Sequence, residues 1–168
     1  MKSKKVLFIT QSAMIAAVYV ALTVIFAPIS FGEVQLRISE ALTILPYFTP
    51  AAIPGLFIGC LLGNFLGGAV LPDVIFGSLA TLLGAVFSYL LRKNKYLVPI
   101  PPIVSNVIIV PFVLRYAYMV PLSIPFLMLT VGIGEVISCG IFGFVLLFAL
   151  DKYKHIIFKN SNETVTLK

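Results

Sequence analysis

The chain has 168 residues, is 60% hydrophobic and carries only six acidic and twelve basic residues, with a mean hydropathy of +1.10. So few charges cannot cover the surface of a soluble domain, and apolar runs close to the roughly 20 residues that a helix needs to cross a bilayer mark an integral membrane protein. Two cysteines, Cys60 and Cys139, lie in separate apolar segments and the single histidine, His155, lies in a basic tail, so no metal site, redox cofactor or disulfide framework is expected.

The first apolar run, residues 6–27, follows Lys2, Lys4 and Lys5 as a signal peptide would. It is long for the apolar core of a signal, lacks a clear small-x-small cleavage site and carries evenly spaced alanines, so it reads as a retained first helix. Ala13, Ala17 and Ala21 recur every fourth residue, so one side of that helix offers only methyl groups and lets another backbone come close. Such a stripe serves either the docking of a partner or ordinary packing within a bundle.

Residues 33–67 are the richest stretch. A polar loop with Glu33, Gln35, Arg37 and Glu40 runs into apolar sequence bearing Gly55, Gly59, Gly63 and Gly67. A charge cluster between apolar segments is the first place to look for a ligand, although Arg37 and Glu40, three apart, could equally pair on one helical face. The glycine series reads as tight internal packing. Asn64, beside Gly63, suits a helix-turn cap or a cavity; Asp73, after Pro72, suits an N-cap or a ligand contact.

Topology follows from the cations. Ten of the twelve fall at the N-terminus, at Arg92, Lys93 and Lys95, and in the tail (Lys152, Lys154, Lys159, Lys168), all of which should face the cytoplasm, leaving Arg37 and Arg115 in outward loops. The runs 99–115 and 121–150 then make an out-and-back pair, and the run 74–91 returns inward. Residues 41–72 must begin and end outside; this window of about 30 residues holds two short helices or a re-entrant pair, with a turn near residues 59–68. The expected fold is an all-α membrane protein of six transmembrane helices with both termini cytoplasmic. It forms one domain over 1–168, with a cytoplasmic start at 1–5, a bundle at 6–150 and a cytoplasmic tail at 151–168. The prolines mark helix starts, kinks and loops.

Two further polar residues sit within the later runs. Glu135, in VGIGEVISCG, costs several kcal/mol as a bare carboxylate in the membrane unless it pairs, protonates or faces water. It is expected to face a polar cavity, the alternative being a structural carboxylate held by Arg115 or Asn106. Asn106, after Pro99, Pro101 and Pro102, can both donate and accept. Tyr47, Tyr89, Tyr116 and Tyr118 suit interfacial anchoring.

There is no GxxxxGK[ST] phosphate loop and no Ser/His/Asp or Cys/His set, so neither ATP hydrolysis by the P-loop route nor hydrolase chemistry is expected. A small polytopic protein with an outward polar cluster and a docking stripe fits a ligand-capturing subunit whose energy comes from elsewhere.

The segment EVQLRISEALTILPYFTPAAIPGLFIGCLLGN, with the stripe Ala13, Ala17, Ala21, resembles the QueT family, the substrate-binding S components of energy-coupling factor (ECF) transporters for queuosine precursors; the likeness runs to about Leu150. The resemblance implies six helices holding a ligand such as 7-aminomethyl-7-deazaguanine near the outer face. It also implies that the alanine stripe contacts a transmembrane coupling protein driven by two ATPase subunits, and that the subunit tilts to deliver its ligand. A deazaguanine presents two adjacent donors, which one carboxylate can accept together, and a carbonyl that wants a donor. Glu135 suits the first role and Asn106 the second, while Glu33, Glu40 or Asp73 could neutralise the aminomethyl cation, with Tyr116 stacking on the ring. Gln35, Arg37 and Asn64 complete the expected ligand set, and the loop 28–38 would close over it. The alternative is a stand-alone secondary transporter that uses Glu135 for proton coupling.

Overall fold

The computed structural model describes residues 2–30 and 36–157, so Glu33 and Gln35 lie outside the described residues. Every regular element among the described residues is helical. In order these are α1 (Lys2–Ile25), α2 (Ala27–Ser30), a 3-10 helix (Ile38–Tyr47), α3 (Ala52–Leu66), α4 (Leu71–Leu90), α5 (Ile100–Tyr116), α6 (Ile124–Glu135), a π-helical segment (Val136–Phe142) and α7 (Gly143–Ile157). Three stretches are long and apolar enough to cross a membrane: Lys4–Ile25, Leu71–Leu90 and Ile124–Tyr153, the last passing through the π segment; Ala52–Leu66 and Ile100–Tyr116 are shorter apolar helices.

The exterior is apolar, and the interior holds polar and charged residues beside its apolar core. Val6, Ile9, Leu66, Leu71 and Leu90 are more than half exposed, whereas Arg37, Glu40, Asn64, Asp73, Thr81, Asn106, Glu135 and Ser138 are all buried. In water such an exterior would drive aggregation; facing lipid, it is the favourable surface.

The 3-10 helix is the central element, with residues 39–46 buried. At about 2.0 Å per residue, its ten residues extend roughly 20 Å. Its course is fixed by contacts with α1: Thr23 donates to Ser39 Oγ (2.9 Å) near the end of α1, and Ser12 donates to the Ala51 carbonyl (2.9 Å) near its start. The chain therefore runs back along α1, turns at residues 48–51 and returns as α3, parallel to α1.

That turn corrects the expected geometry of the 41–72 window. The break comes at 48–51, where Ala51 N–H donates to Thr49 Oγ1 (3.3 Å) and Ala52 N–H to the Thr49 carbonyl (3.2 Å) beside Pro50. α3 then continues through Gly59 and Gly63, because those glycines form a contact face and leave its helical hydrogen bonds intact. A second turn does follow at Gly67 and Gly68, where the φ of +83° at Gly68 suits glycine.

A Cβ at Gly55 would stand 2.8 Å from the Ser12 carbonyl, one at Gly59 2.8 Å from Tyr19 Cβ, and one at Gly63 3.0 Å from Thr23 Cβ. Three successive turns of α3 thus lie directly on α1. Gly59→Ala is expected to force the two helices apart at a cost of about 1–3 kcal/mol, read as a lower unfolding midpoint in detergent. Gly132→Ala is the control and should be neutral or stabilising, because its Cβ would meet only Val107 Cγ2 at 3.5 Å.

Candidate functional site

In a 3-10 helix, residues three apart eclipse, so Arg37 at its N-cap, Glu40 and Thr43 lie along one edge. That edge faces α4 and the junction of α6 with the π segment, and it gathers two polar layers.

The outer layer is an ion pair. Arg37 Nη2 lies 3.2 Å from Asp73 Oδ2 and 3.4 Å from Oδ1, both side chains being almost wholly buried. Tyr118 donates to Asp73 Oδ2 (3.0 Å), and Asn64 Nδ2 donates to the Asp73 carbonyl (3.3 Å). Burial first, and then the Asp73 carboxylate beside it, push the Tyr118 phenol up to about 12, so it stays a donor at any physiological pH. Gly77 makes room for this layer, since a Cβ there would stand 2.8 Å from Asp73 Oδ1 and 3.1 Å from Asn64 Nδ2. Asp73 is in the first turn of α4, whose N-cap is Val70, so its carboxylate serves Arg37 and does not cap the helix. Arg37 likewise pairs with Asp73 and not with Glu40.

One turn deeper is a pair of carboxylates. Glu40 Oε1 accepts from the Tyr19 phenol of α1 and from Thr81 of α4 (3.0 Å), while Glu40 Oε2 is buried without a partner. Glu135 Oε2 accepts from the Cys139 thiol (3.2 Å). Glu40, Glu135 and Cys139 each bring a ligand-type atom within 4.8 Å of the others. Thr43 donates to the Glu40 carbonyl (2.6 Å) and stands 3.4 Å from Cys139 Sγ, tying the 3-10 helix to the π segment.

Two carboxylates this close in an apolar interior repel each other unless a proton, a cation or a set of donors stands between them. A bare metal ion could satisfy three such ligands, but the surroundings also include an amide N–H donor, Asn106 Nδ2, that a metal ion cannot use. Asn106 faces Glu135, yet no normal hydrogen bond forms: both Nδ2 and Oδ1 are buried without partners, as is Ser138 Oγ. Asn64 Oδ1 is a further unpartnered acceptor. Amide donors, amide acceptors and carboxylate oxygens left open together match a polar organic molecule with both donors and acceptors.

Helix irregularity concentrates at the same place. A 3-10 run of ten residues is unusually long, and π segments are rare and recur at functional sites. Here the two meet, with Glu40 in one and Glu135, Ser138 and Cys139 at or within the other.

The structure therefore brings together Arg37, Glu40, Asn64, Asp73, Asn106 and Glu135 from the sequence expectations. Tyr116 is elsewhere: it is 69% exposed, on an apolar groove of about 490 Å³ with Pro72, Phe76 and Phe112. Arg115 donates to the Val120 carbonyl (3.0 Å) and does not pair with Glu135. Among the described residues, the aromatic side chains bonded to the polar interior are those of Tyr19 and Tyr118. Sequence reasoning missed these two, together with Thr43, Thr81, Ser138 and Cys139. Two signals were present: the three-residue spacing of Arg37, Glu40 and Thr43, and the four-residue spacing of Glu135 and Cys139. Ala13, Ala17 and Ala21 are exposed on the far side of α1, lining an apolar groove of about 750 Å³ with Pro54, Ile58 and Leu62 of α3.

Comparison with known proteins gives two matches of different reach. The model of the QueT transporter family matches residues 9–152. A queuosine precursor transporter QueT of Lactococcus lactis subsp. cremoris is 40% identical over 85 residues, which cover 49% of this chain and 50% of that protein. The chain thus spans about half the length of this curated relative. No solved structure matches. Because the family match runs from α1 into α7 and takes in both carboxylates, the ion pair and the alanine stripe, the chain belongs to the QueT transporter family.

Proposed function

We propose that this chain is the substrate-binding S component of an ECF-type importer. In this reading it captures a queuosine precursor, 7-aminomethyl-7-deazaguanine or a related deazaguanine, at the outer face of the cell membrane and delivers it inward with a transmembrane coupling protein and two ATPase subunits. The observation that carries the reading is the buried carboxylate pair with open polar atoms around it, inside an apolar exterior. The family match supports transport, and the relative's name supports the substrate class.

The ligand's chemistry fits these groups. One carboxylate, Glu135, accepts the ring N–H and exocyclic amine side by side, and Asn106 Nδ2 donates to the ring carbonyl. Glu40, with Oε2 open, supplies a second acceptor and the negative charge for an ammonium, whereas Asp73 is already neutralised by Arg37. Glu33 and Gln35 belong to the same proposed ligand set. In this reading the chain makes six membrane passes, taken by α1, the 3-10 helix, α3, α4, α5 and the continuous α6 to α7 helix, and both basic termini lie in the cytoplasm, which the positions of the cations support.

Docking falls to the outer face of α1. Its three alanines let a partner helix approach closely, and the groove they share with α3 is open and apolar. Ala17→Leu is expected to abolish co-purification with the coupling protein while leaving ligand affinity unchanged; retained co-purification would remove the stripe from the interface.

A second reading, a proton-coupled transporter acting alone, draws on the same carboxylates. Uptake of labelled 7-aminomethyl-7-deazaguanine in cells with and without the ATPase subunits separates the two. The S-component reading requires uptake to vanish without the ATPases while binding persists. Uptake by this chain alone that collapses with the proton gradient would establish the other.

A further inference from the structure

Tyr19 stands on α1 with 1% of its surface exposed, and its phenol donates to Glu40 Oε1. The far side of the same helix carries the exposed Ala13, Ala17 and Ala21. One helix therefore forms both a wall of the polar interior and a wall of the outer groove. The glycines of α3 press its backbone onto Ser12, Ala16, Tyr19 and Thr23, so α1 and α3 respond to force as one close-packed slab.

Glu40 belongs to a more deformable element. The hydrogen-bond geometry of 3-10 helices is poorer than that of α-helices, so this element yields more readily than the slab of α1 and α3. Two hydroxyls from different helices hold the same carboxylate oxygen, Tyr19 from α1 and Thr81 from α4, leaving Oε2 without a partner. α4 contributes no residue to the groove.

We propose that Tyr19 is a positioning residue that carries the ligand state of Glu40 to the outer face of α1. When a donor-bearing ligand engages Oε2, the carboxylate and its 3-10 helix shift, and the phenol draws α1, with α3, along. The groove then differs between ligand-free and ligand-bound protein, and any partner seated there senses the difference. This inference rests on the reading that the carboxylate pair holds the ligand.

Thr81 provides the control, because losing either hydroxyl loosens the same oxygen, but only the loss at position 19 removes the bond between the Glu40 carboxylate and α1. The experiment places a nitroxide on Ala17→Cys in the purified full chain; the native Cys60 and Cys139 are both 0% exposed and stay unlabelled. Spectra are taken with and without 7-aminomethyl-7-deazaguanine in three backgrounds: unchanged, Tyr19→Phe and Thr81→Val. Affinity is measured calorimetrically for each. Both variants should bind about three- to tenfold more weakly, the effect of one hydrogen bond. At saturating ligand, the spectral shift should persist in Thr81→Val and vanish in Tyr19→Phe. A shift that survives in Tyr19→Phe, one lost in both variants, or none in the unchanged background despite binding would each overturn the proposal. Absence of calorimetric binding in every background would instead bring down the ligand-site reading, and this inference with it.

Discussion

Glu40→Gln and Glu135→Gln are each expected to weaken binding of 7-aminomethyl-7-deazaguanine by about 2–4 kcal/mol, or thirtyfold to a thousandfold. A glutamine keeps the shape of the side chain but replaces one acceptor by a donor, so a ligand N–H meets an N–H and a ligand cation loses its counter-charge. The ligand-free protein should respond in the opposite sense. Each substitution removes one of two buried carboxylates whose ligand-type atoms lie within 4.8 Å of each other, and with it the desolvation cost and mutual repulsion of the pair. Affinity should therefore fall while the unfolding midpoint holds or rises, as expected where function maintains a strained arrangement. Calorimetry and thermal unfolding on the same preparations read both quantities. A parallel loss of affinity and stability would mean that the pair is structural.

Arg37→Met should act on stability. The substitution preserves much of the buried volume but leaves the Asp73 carboxylate facing an apolar interior with Tyr118 as its remaining side-chain donor. Breaking one side of a buried pair costs about 3–5 kcal/mol, mostly from the charge left behind. Adding Asp73→Asn to Arg37→Met should recover most of that loss, because the orphaned charge is gone. Unfolding midpoints in detergent for the two single variants and the double variant close the cycle. Additive losses would show that the pair does not act as a unit.

Much of the architecture was legible because it depends on one-dimensional quantities. Lipid demands apolar runs of a set length, and prolines mark helix starts: Pro72 in α4, Pro101 and Pro102 in α5, and Pro125 in α6 all fall in first turns. The alanine stripe and the glycine series were readable as spacings, and their sides followed from contacts. The start of the 41–72 window resisted because the chain forms a 3-10 helix over Ile38–Tyr47, with a period of 3.0 residues per turn. Read at 3.6, Arg37, Glu40 and Thr43 drift around a helix; read at 3.0, they align. Glu135 and Asn106 were recognisable as costly polar groups in apolar runs, whereas Tyr19, Thr81 and Cys139 look ordinary in sequence. They gain meaning only when α1, α4 and the π segment converge on Glu40. Tyr116 and Tyr118 show the same limit: two residues apart in sequence, one faces outward and the other holds Asp73.

On the function proposed above, this chain by itself binds a deazaguanine. Isothermal titration of the purified protein in detergent with 7-aminomethyl-7-deazaguanine, its nitrile analogue, queuine, guanine and an unrelated vitamin tests it most directly. Tight binding of one deazaguanine with little response to guanine is the expected result, together with loss of that binding in Glu135→Gln. Silence across the panel, or an undiminished response in Glu135→Gln, would contradict it.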